Sequence, residues 1–100
     1  MKPGKRDIPV KIKIQGRQLE ELQAHTVHMC EAYGLDTKVY NYKGVRPISF
    51  YRWDLDCLID VMDYVLADKK KYPDPYDEGY IALSSLNVEL KRRYKELYES

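Results

Sequence analysis

Two groups of ionisable side chains have a spacing that could support chemistry on a helix. In the first group, Glu21, His25 and His28 fall at positions i, i+4 and i+7, so one helix face could present two or three metal ligands. Zinc normally needs a third or fourth ligand, and neither Cys30 nor Cys57 is expected on that side. A solvated polar face is therefore the favoured interpretation, and we predict no metal or other cofactor.

The second group is an acidic stripe of Asp56, Asp60 and Asp63, which could bind Mg²⁺ or act in acid–base catalysis. The sequence has no phosphate-binding glycine loop and no nucleophile elbow, and Ser84-Ser85 has no neighbouring histidine. Aspartates on the exposed face of an amphipathic helix are common. We therefore predict no catalytic residue and no enzymatic activity.

The most informative segment runs from Lys38 to Trp53. Interpreted as two strands joined by a turn at Lys43-Gly44, it places Lys38, Tyr40 and Tyr42 on one side, because strand side chains alternate. A first strand alongside would add two lysines to that sheet face, and the basic and aromatic residues next to the strands would extend it. The predicted binding residues are Lys11, Lys13, Lys38, Tyr40, Tyr42, Arg46, Tyr51, Arg52 and Trp53.

A sheet face of lysines and tyrosines suits three different occupants. Tyrosine combines an apolar ring with a hydroxyl, so a protein partner, a second copy or the last helix of this chain could cover it. Nucleobases could also stack on the rings while lysines neutralise phosphates. We predict a small non-catalytic interaction module, an adaptor or regulator, that binds a protein partner or itself. Single-stranded RNA or DNA binding is the alternative, and a small-molecule enzyme or metal-binding protein is less favoured.

The strands that position this face are predicted from side-chain alternation. Residues 8–15 alternate with a period of two, which indicates a half-buried strand. Residues 37–42 and 45–51 are rich in β-branched and aromatic side chains and predict two further strands. Pro47 cannot donate to a ladder, so the last strand has an edge or a bulge there. The residues predicted to face the core are Val10, Ile12, Ile14, Val39, Ile48 and Phe50.

Helical periodicity predicts three helices. The first covers residues 17–33, and Gly34 follows it as a left-handed C-terminal residue. The second covers about 52–70 and the third about 75–99, each with an apolar stripe at i, i+3, i+4 and i+7. The stripe of the second helix consists of Leu55, Leu58, Ile59, Met62, Val65 and Leu66.

The predicted fold class is α+β, with the order β-α-β-β-α-α and a three-stranded antiparallel or mixed sheet. This order resembles a truncated ferredoxin-like (split β-α-β) arrangement with an added C-terminal helix, an architecture that many functions share. Residues 1–7 are predicted to form a disordered basic arm, and residues 8–100 a single domain.

Composition sets the broad class of the protein. Residues 1–52 carry ten Lys or Arg and five Asp or Glu, whereas residues 53–100 carry seven and eleven, so the chain is dipolar. The first residues contain no apolar segment, and charges interrupt every apolar run, so we expect neither a signal peptide nor a membrane span. The two cysteines are expected to be reduced thiols, and the predicted location is cytoplasmic.

Overall fold

The computed structural model describes residues 8–29 and 34–98. Within them the chain forms two short strands, four α-helices and one turn of 3₁₀-helix. In chain order these are β1 (Val10–Ile12), α1 (Gly16–Gln23), the 3₁₀-helix (Thr26–His28), α2 (Leu35–Tyr40), β2 (Ile48–Phe50), α3 (Arg52–Ala67) and α4 (Glu78–Tyr98).

The sheet has two antiparallel strands among the described residues, so the predicted three-stranded sheet is wrong. The first and last predicted strands do pair, with Val10 opposite Phe50 and Ile12 opposite Ile48. These side chains share the face that turns inward, and Phe50 is completely buried. The sheet therefore contributes one apolar face to the core and leaves the other face outside.

The segment predicted as the middle strand forms helix α2 instead, and no hairpin exists at Gly44. Leu35 and Val39 are both fully buried while Thr37 between them is exposed; a strand would place all three on one face, whereas a helix turns Thr37 away. Asp36 lies in the first turn and Lys38 in the last, as the helix dipole favours. The β-branched side chains suggested a strand, but β propensity depends on packing context. In this segment the pattern of buried and exposed side chains favours a helix.

Helix α1 is shorter than predicted, because the chain leaves the α-helix after Gln23 and makes a 3₁₀ turn. The Thr26 hydroxyl donates to the Gln23 carbonyl at 3.2 Å, which competes with continued helix formation. Gly34 is left-handed as predicted (φ 69°), but it precedes α2 rather than following a long helix. The remaining residues of the predicted first helix, 30–33, lie outside the described residues, as does the predicted arm, 1–7.

The two later helices are confirmed, and they build most of the core. Helix α4 packs against both α3 and α1. The apolar stripes predicted for α3 and α4 face inward, with the exception of Leu97, which is exposed. Buried residues of these two helices include Leu55, Leu58, Met62, Val65, Leu83, Leu86 and Leu90.

The loop between α2 and β2 packs against the start of α1 through Gly44, which has a positive φ of 76°. An added Cβ at Gly44 would lie 3.2 Å from the Ile14 carbonyl oxygen and 3.2 Å from the Leu19 side chain. Glycine is therefore needed here for a close approach and a left-handed backbone, not for the hairpin turn that we predicted.

Candidate functional site

The outer face of the sheet brings together the part of the predicted site that lies on β1, on β2 and at the start of α3. Lys11 lies opposite Ser49 on the face away from the core, and Tyr51 continues the same alternation with an extended backbone. Lys13 follows just beyond β1, diagonal to Ser49. We call this surface the basic–aromatic face; its residues are Lys11, Lys13, Ser49, Tyr51, Arg52 and Trp53.

A stacked pair of rings forms the aromatic part of this face. The ring centroids of Tyr51 and Trp53 are 5.0 Å apart and the ring planes differ by 12°. Both side chains are half-buried. The backbone under them is held because the Tyr51 N–H donates to Asp54 Oδ2 at 3.0 Å at the start of α3. The two rings are therefore held in place before any ligand binds.

The charged part of the face is cationic and unneutralised. Lys11, Lys13 and Arg52 are exposed, and none of them forms an ion pair with another described residue. Asp54, at the start of α3, is buried and accepts from the Tyr51 N–H while lying 3.9 Å from the Lys38 ammonium. The cations around the stacked rings are thus available to an anionic ligand.

Four residues of the predicted site do not belong to this face, because they lie on α2 or in the loop after it. Lys38 is exposed but reaches across to β2: its ammonium donates to the Ser49 carbonyl and lies 5.6 Å from the centroid of the Phe50 ring. The Tyr42 hydroxyl donates to the Arg46 carbonyl and accepts from the Ile14 N–H at 3.4 Å. Lys38 and Tyr42 therefore hold the fold together.

The other two residues, Tyr40 and Arg46, are exposed, with Tyr40 at 69%. Tyr40 lies on α2 and Arg46 lies in the loop that leads to β2. Neither residue is placed on the sheet by strand alternation, so the geometry that suggested them is absent. Tyr40 is useful as a control position for experiments on the basic–aromatic face.

A second polar cluster contains Glu21 and His25, which sequence reasoning named, and Tyr72, which it missed because Tyr72 is far from them in the chain. Glu21 accepts from the Tyr72 hydroxyl through Oε1 at 2.7 Å and from Arg17 Nε through Oε2 at 3.1 Å. The Tyr72 oxygen is also 2.7 Å from His25 Nε2. His25 is only 9% exposed and Tyr72 8%, so the solvated polar face predicted for α1 is wrong at His25. We call Arg17, Glu21, His25 and Tyr72 the relay.

The proton positions in the relay follow from its donors and acceptors. Glu21 at neutral pH can only accept, so Tyr72 uses its single hydrogen on Glu21, and His25 must donate its Nε2 hydrogen to the Tyr72 oxygen. Burial, helped by the hydrogen bond to Glu21, raises the pKa of the Tyr72 phenol. Burial, helped by the nearby Lys71 ammonium, lowers the pKa of His25. Both groups are neutral at pH 7, which suits a structural contact better than a nucleophile or base.

The acidic stripe on α3 faces α4. Asp63 accepts from Lys91 and from Asn87, each at 2.8 Å. Asp56 and Asp60 line an open groove of about 380 Å³ between the two helices, together with Ile59, Lys91, Tyr94 and Lys95. Lysines opposite the carboxylates make this an ionic contact between helices.

Among residues 8–29 and 34–98, no group of three or more His, Cys, Asp or Glu side chains is arranged to hold a metal ion. No helix in these ranges combines the length and the apolar character that crossing a bilayer requires.

Comparison with protein families, curated proteins and solved structures finds no match, so a function can be proposed only from the geometry of this chain.

Proposed function

We propose that this protein is a non-catalytic interaction module, an adaptor or regulator, that binds an acidic segment of a partner protein on the basic–aromatic face. The observation that carries the proposal is the stacked Tyr51–Trp53 pair on a face that also carries Lys11, Lys13 and Arg52, none of which has an ion-pair partner within residues 8–29 and 34–98. A cytoplasmic location is part of the proposal, and the low cysteine content supports it.

The two halves of the face have different physical roles in such binding. The Tyr51 and Trp53 rings offer apolar area whose desolvation favours association, and aromatic residues dominate the energetic centres of interfaces. Lys11, Lys13 and Arg52 attract an acidic partner and raise the association rate. Because the rings already stack, binding orders fewer side chains than it would on a mobile surface.

Selection of displayed peptides on the immobilised protein tests the proposal without knowledge of the partner. We expect enrichment of peptides that combine Asp or Glu with an apolar or aromatic anchor. The enrichment should be lost in the Tyr51→Ala/Trp53→Ala variant, because the apolar anchor site is removed. It should be retained in Tyr40→Ala, which removes an exposed tyrosine elsewhere.

Two results contradict the proposal. One is the absence of acidic enrichment on the wild-type protein. The other is enrichment that survives loss of Tyr51 and Trp53 while circular dichroism shows the variant to be folded. If the selected peptides match the acidic stripe of α3, around Asp56 and Asp60, the partner class narrows to a second copy of this chain.

Single-stranded nucleic acid is the second candidate, because the Tyr51 and Trp53 rings are nearly parallel, as in surfaces that stack bases. A labelled oligonucleotide of mixed sequence should then bind in fluorescence anisotropy at low salt. Its affinity should fall steeply as salt is added, because phosphate contacts release counterions. No change in anisotropy at low salt would remove this candidate.

A further inference from the structure

The linker of residues 68–77 joins α3 to α4, and we propose that it is a latch that acid releases from α1 and the 3₁₀-helix. Two contacts hold the latch. Tyr72 enters the relay between Glu21 and His25, and Lys71 contacts His28. Acid acts on the two contacts in different ways. His28 can accept from Lys71 only while its ring is neutral, whereas protonation of His25 leaves its Nε2 hydrogen on Tyr72 but places a charge in a buried site.

The contact at His28 excludes a protonated ring. Lys71 Nζ lies 2.9 Å from His28 Nε2. An ammonium group has hydrogens to donate and no lone pair, so His28 Nε2 must be the acceptor and its ring must be neutral. Protonation replaces the acceptor with a second donor and places two positive charges within hydrogen-bond distance. The contact is then lost.

Protonation of His25 is opposed by the burial of its ring and by the cations beside it. His25 stacks on His28 with ring centroids 6.5 Å apart and packs edge-on against Tyr72 at 5.8 Å. In acid the cluster would hold His25, His28 and Lys71 as three cations around one buried phenol. The nearby anion Glu21, which also pairs with Arg17 at 3.1 Å, raises the pKa of His25, but burial of the ring and the Lys71 ammonium outweigh it.

The other groups that pack around the latch provide no negative charge that would stabilise a protonated His25. Tyr64 of α3 packs edge-on against His28 at 5.8 Å, and Tyr80 of α4 packs edge-on against Tyr72 at 5.9 Å. Both are neutral phenols at pH 5 to 7. Asp77 is close enough to raise the pKa of Tyr72, but it does not influence that of His25.

The sign of the pH effect follows from the direction of the shift. Burial and Lys71 hold the pKa of His25 below 6.5 in the folded protein. The open state therefore binds more protons than the latched state once the pH falls below about 6.5. Stability from the neutral ring is complete above pH 6.5 and is lost as the pH falls through the folded pKa. Acid thus opens the latch.

The linker contributes Tyr72 to the hydrophobic core, so its opening exposes part of that core. Tyr72 is 8% exposed, and its ring also lines an open groove of about 380 Å³ with Leu66, Ala67, Pro73 and Tyr80. Outside the cluster, the Lys71 and Tyr72 amides donate only within the linker, to the Asp68 carbonyl. Release of Tyr72 therefore widens an apolar surface without breaking the packing of α3 against α4.

Two measurements on the full chain test the latch. The chain contains only two histidines, so proton NMR of the imidazole resonances follows both titrations without ambiguity. Protection of the Tyr72 ring protons from a dissolved paramagnetic relaxation agent reports release of this ring from its buried position, whereas the Tyr72 amide stays bonded to Asp68 within the linker. We expect the opening constant to rise by about tenfold for each unit by which the measured pKa of His25 lies below the unfolded value.

The control is the His25→Gln/His28→Gln variant, which has no histidine. Glutamine at 25 can still donate to Tyr72 and glutamine at 28 can still accept from Lys71, but neither titrates. Linker opening in this variant should not change between about pH 7.5 and pH 5.5.

Three outcomes overturn the proposal. The first is Tyr72 protection in the wild-type protein that is the same at both pH values. The second is a folded double variant that opens in acid as much as the wild type. The third needs no variant and so decides the question even if the double variant does not fold: a folded-state pKa of His25 at or above 6.5 in the NMR titration.

Discussion

Replacement of Gly79 by alanine tests whether the relay stabilises the fold. Gly79 is the second residue of α4 and is buried against α1. A Cβ at this position would lie 2.7 Å from both Cδ and Oε1 of Glu21 and 3.0 Å from Nη2 of Arg17. The methyl group and the Glu21 carboxylate cannot both keep these places, so the carboxylate must move away from Tyr72.

The expected magnitude combines two opposing effects. Alanine is favoured over glycine in a helix by up to about 1 kcal/mol, and by less in the first turn. Against this, Glu21 loses its 2.7 Å hydrogen bond from Tyr72, and a hydrogen bond to a charged group contributes about 1.5–3 kcal/mol. The ion pair with Arg17, which is half exposed, adds less than about 1 kcal/mol. We expect a net loss of about 1–2 kcal/mol.

Urea denaturation of Gly79→Ala in two backgrounds measures this balance. In the wild type the variant should be destabilised, with an unchanged m-value. In a Glu21→Ala background the carboxylate is gone, so the same substitution should stabilise the protein by up to about 1 kcal/mol. Stabilisation in the wild-type background, or the same change in both backgrounds, would refute the reasoning about the relay.

Three further substitutions have expected outcomes in the same assay. Gln23→Ala should lose about 1–2 kcal/mol, because the Gln23 amide donates at 3.1 Å to the Val39 carbonyl in the last turn of α2 and at 2.8 Å to the Tyr42 carbonyl just after it; amide exchange in α2 should rise. Phe50→Ala should lose about 3–5 kcal/mol, because its fully buried ring leaves a cavity. Asn87→Leu should stay within about 1 kcal/mol of wild type. It loses the hydrogen bond from Asn87 Nδ2 to Asp63, which Lys91 also contacts, but it removes a buried Oδ1 that has no hydrogen-bond partner among the described residues; a loss above about 3 kcal/mol would contradict this.

The long helices could be predicted from the sequence, but the middle of the chain could not. Helices α3 and α4 carry apolar stripes over four or more turns, and no strand satisfies such a repeat. Helix α2 has only six residues, so its β-branched composition outweighed its helical spacing. The usable signal was the pair Leu35 and Val39 at i and i+4 with the polar Thr37 at i+2, which breaks a strand face but not a helix face.

The candidate site also has one part that could be predicted from the sequence and one part that could not. The part on β1 and β2 was predictable, because strand alternation places Lys11 and Tyr51 outward once Val10 and Phe50 turn inward. The relay was not predictable, since Glu21 and Tyr72 are 51 residues apart and no local pattern relates them. Their contact is set by how the linker and α4 pack on α1, which depends on the whole fold.

Quenching of Trp53 fluorescence tests the basic–aromatic face directly, because the chain contains a single tryptophan. If the ring is accessible among Lys11, Lys13 and Arg52, the ratio of iodide to caesium quenching at equal ionic strength should exceed the ratio for neutral N-acetyltryptophanamide, because the local field concentrates anions. A saturating display-selected acidic peptide should then protect Trp53 from iodide. A ratio no higher than that of N-acetyltryptophanamide, or peptide binding that leaves iodide quenching unchanged, would contradict the assignment of this face as the docking surface.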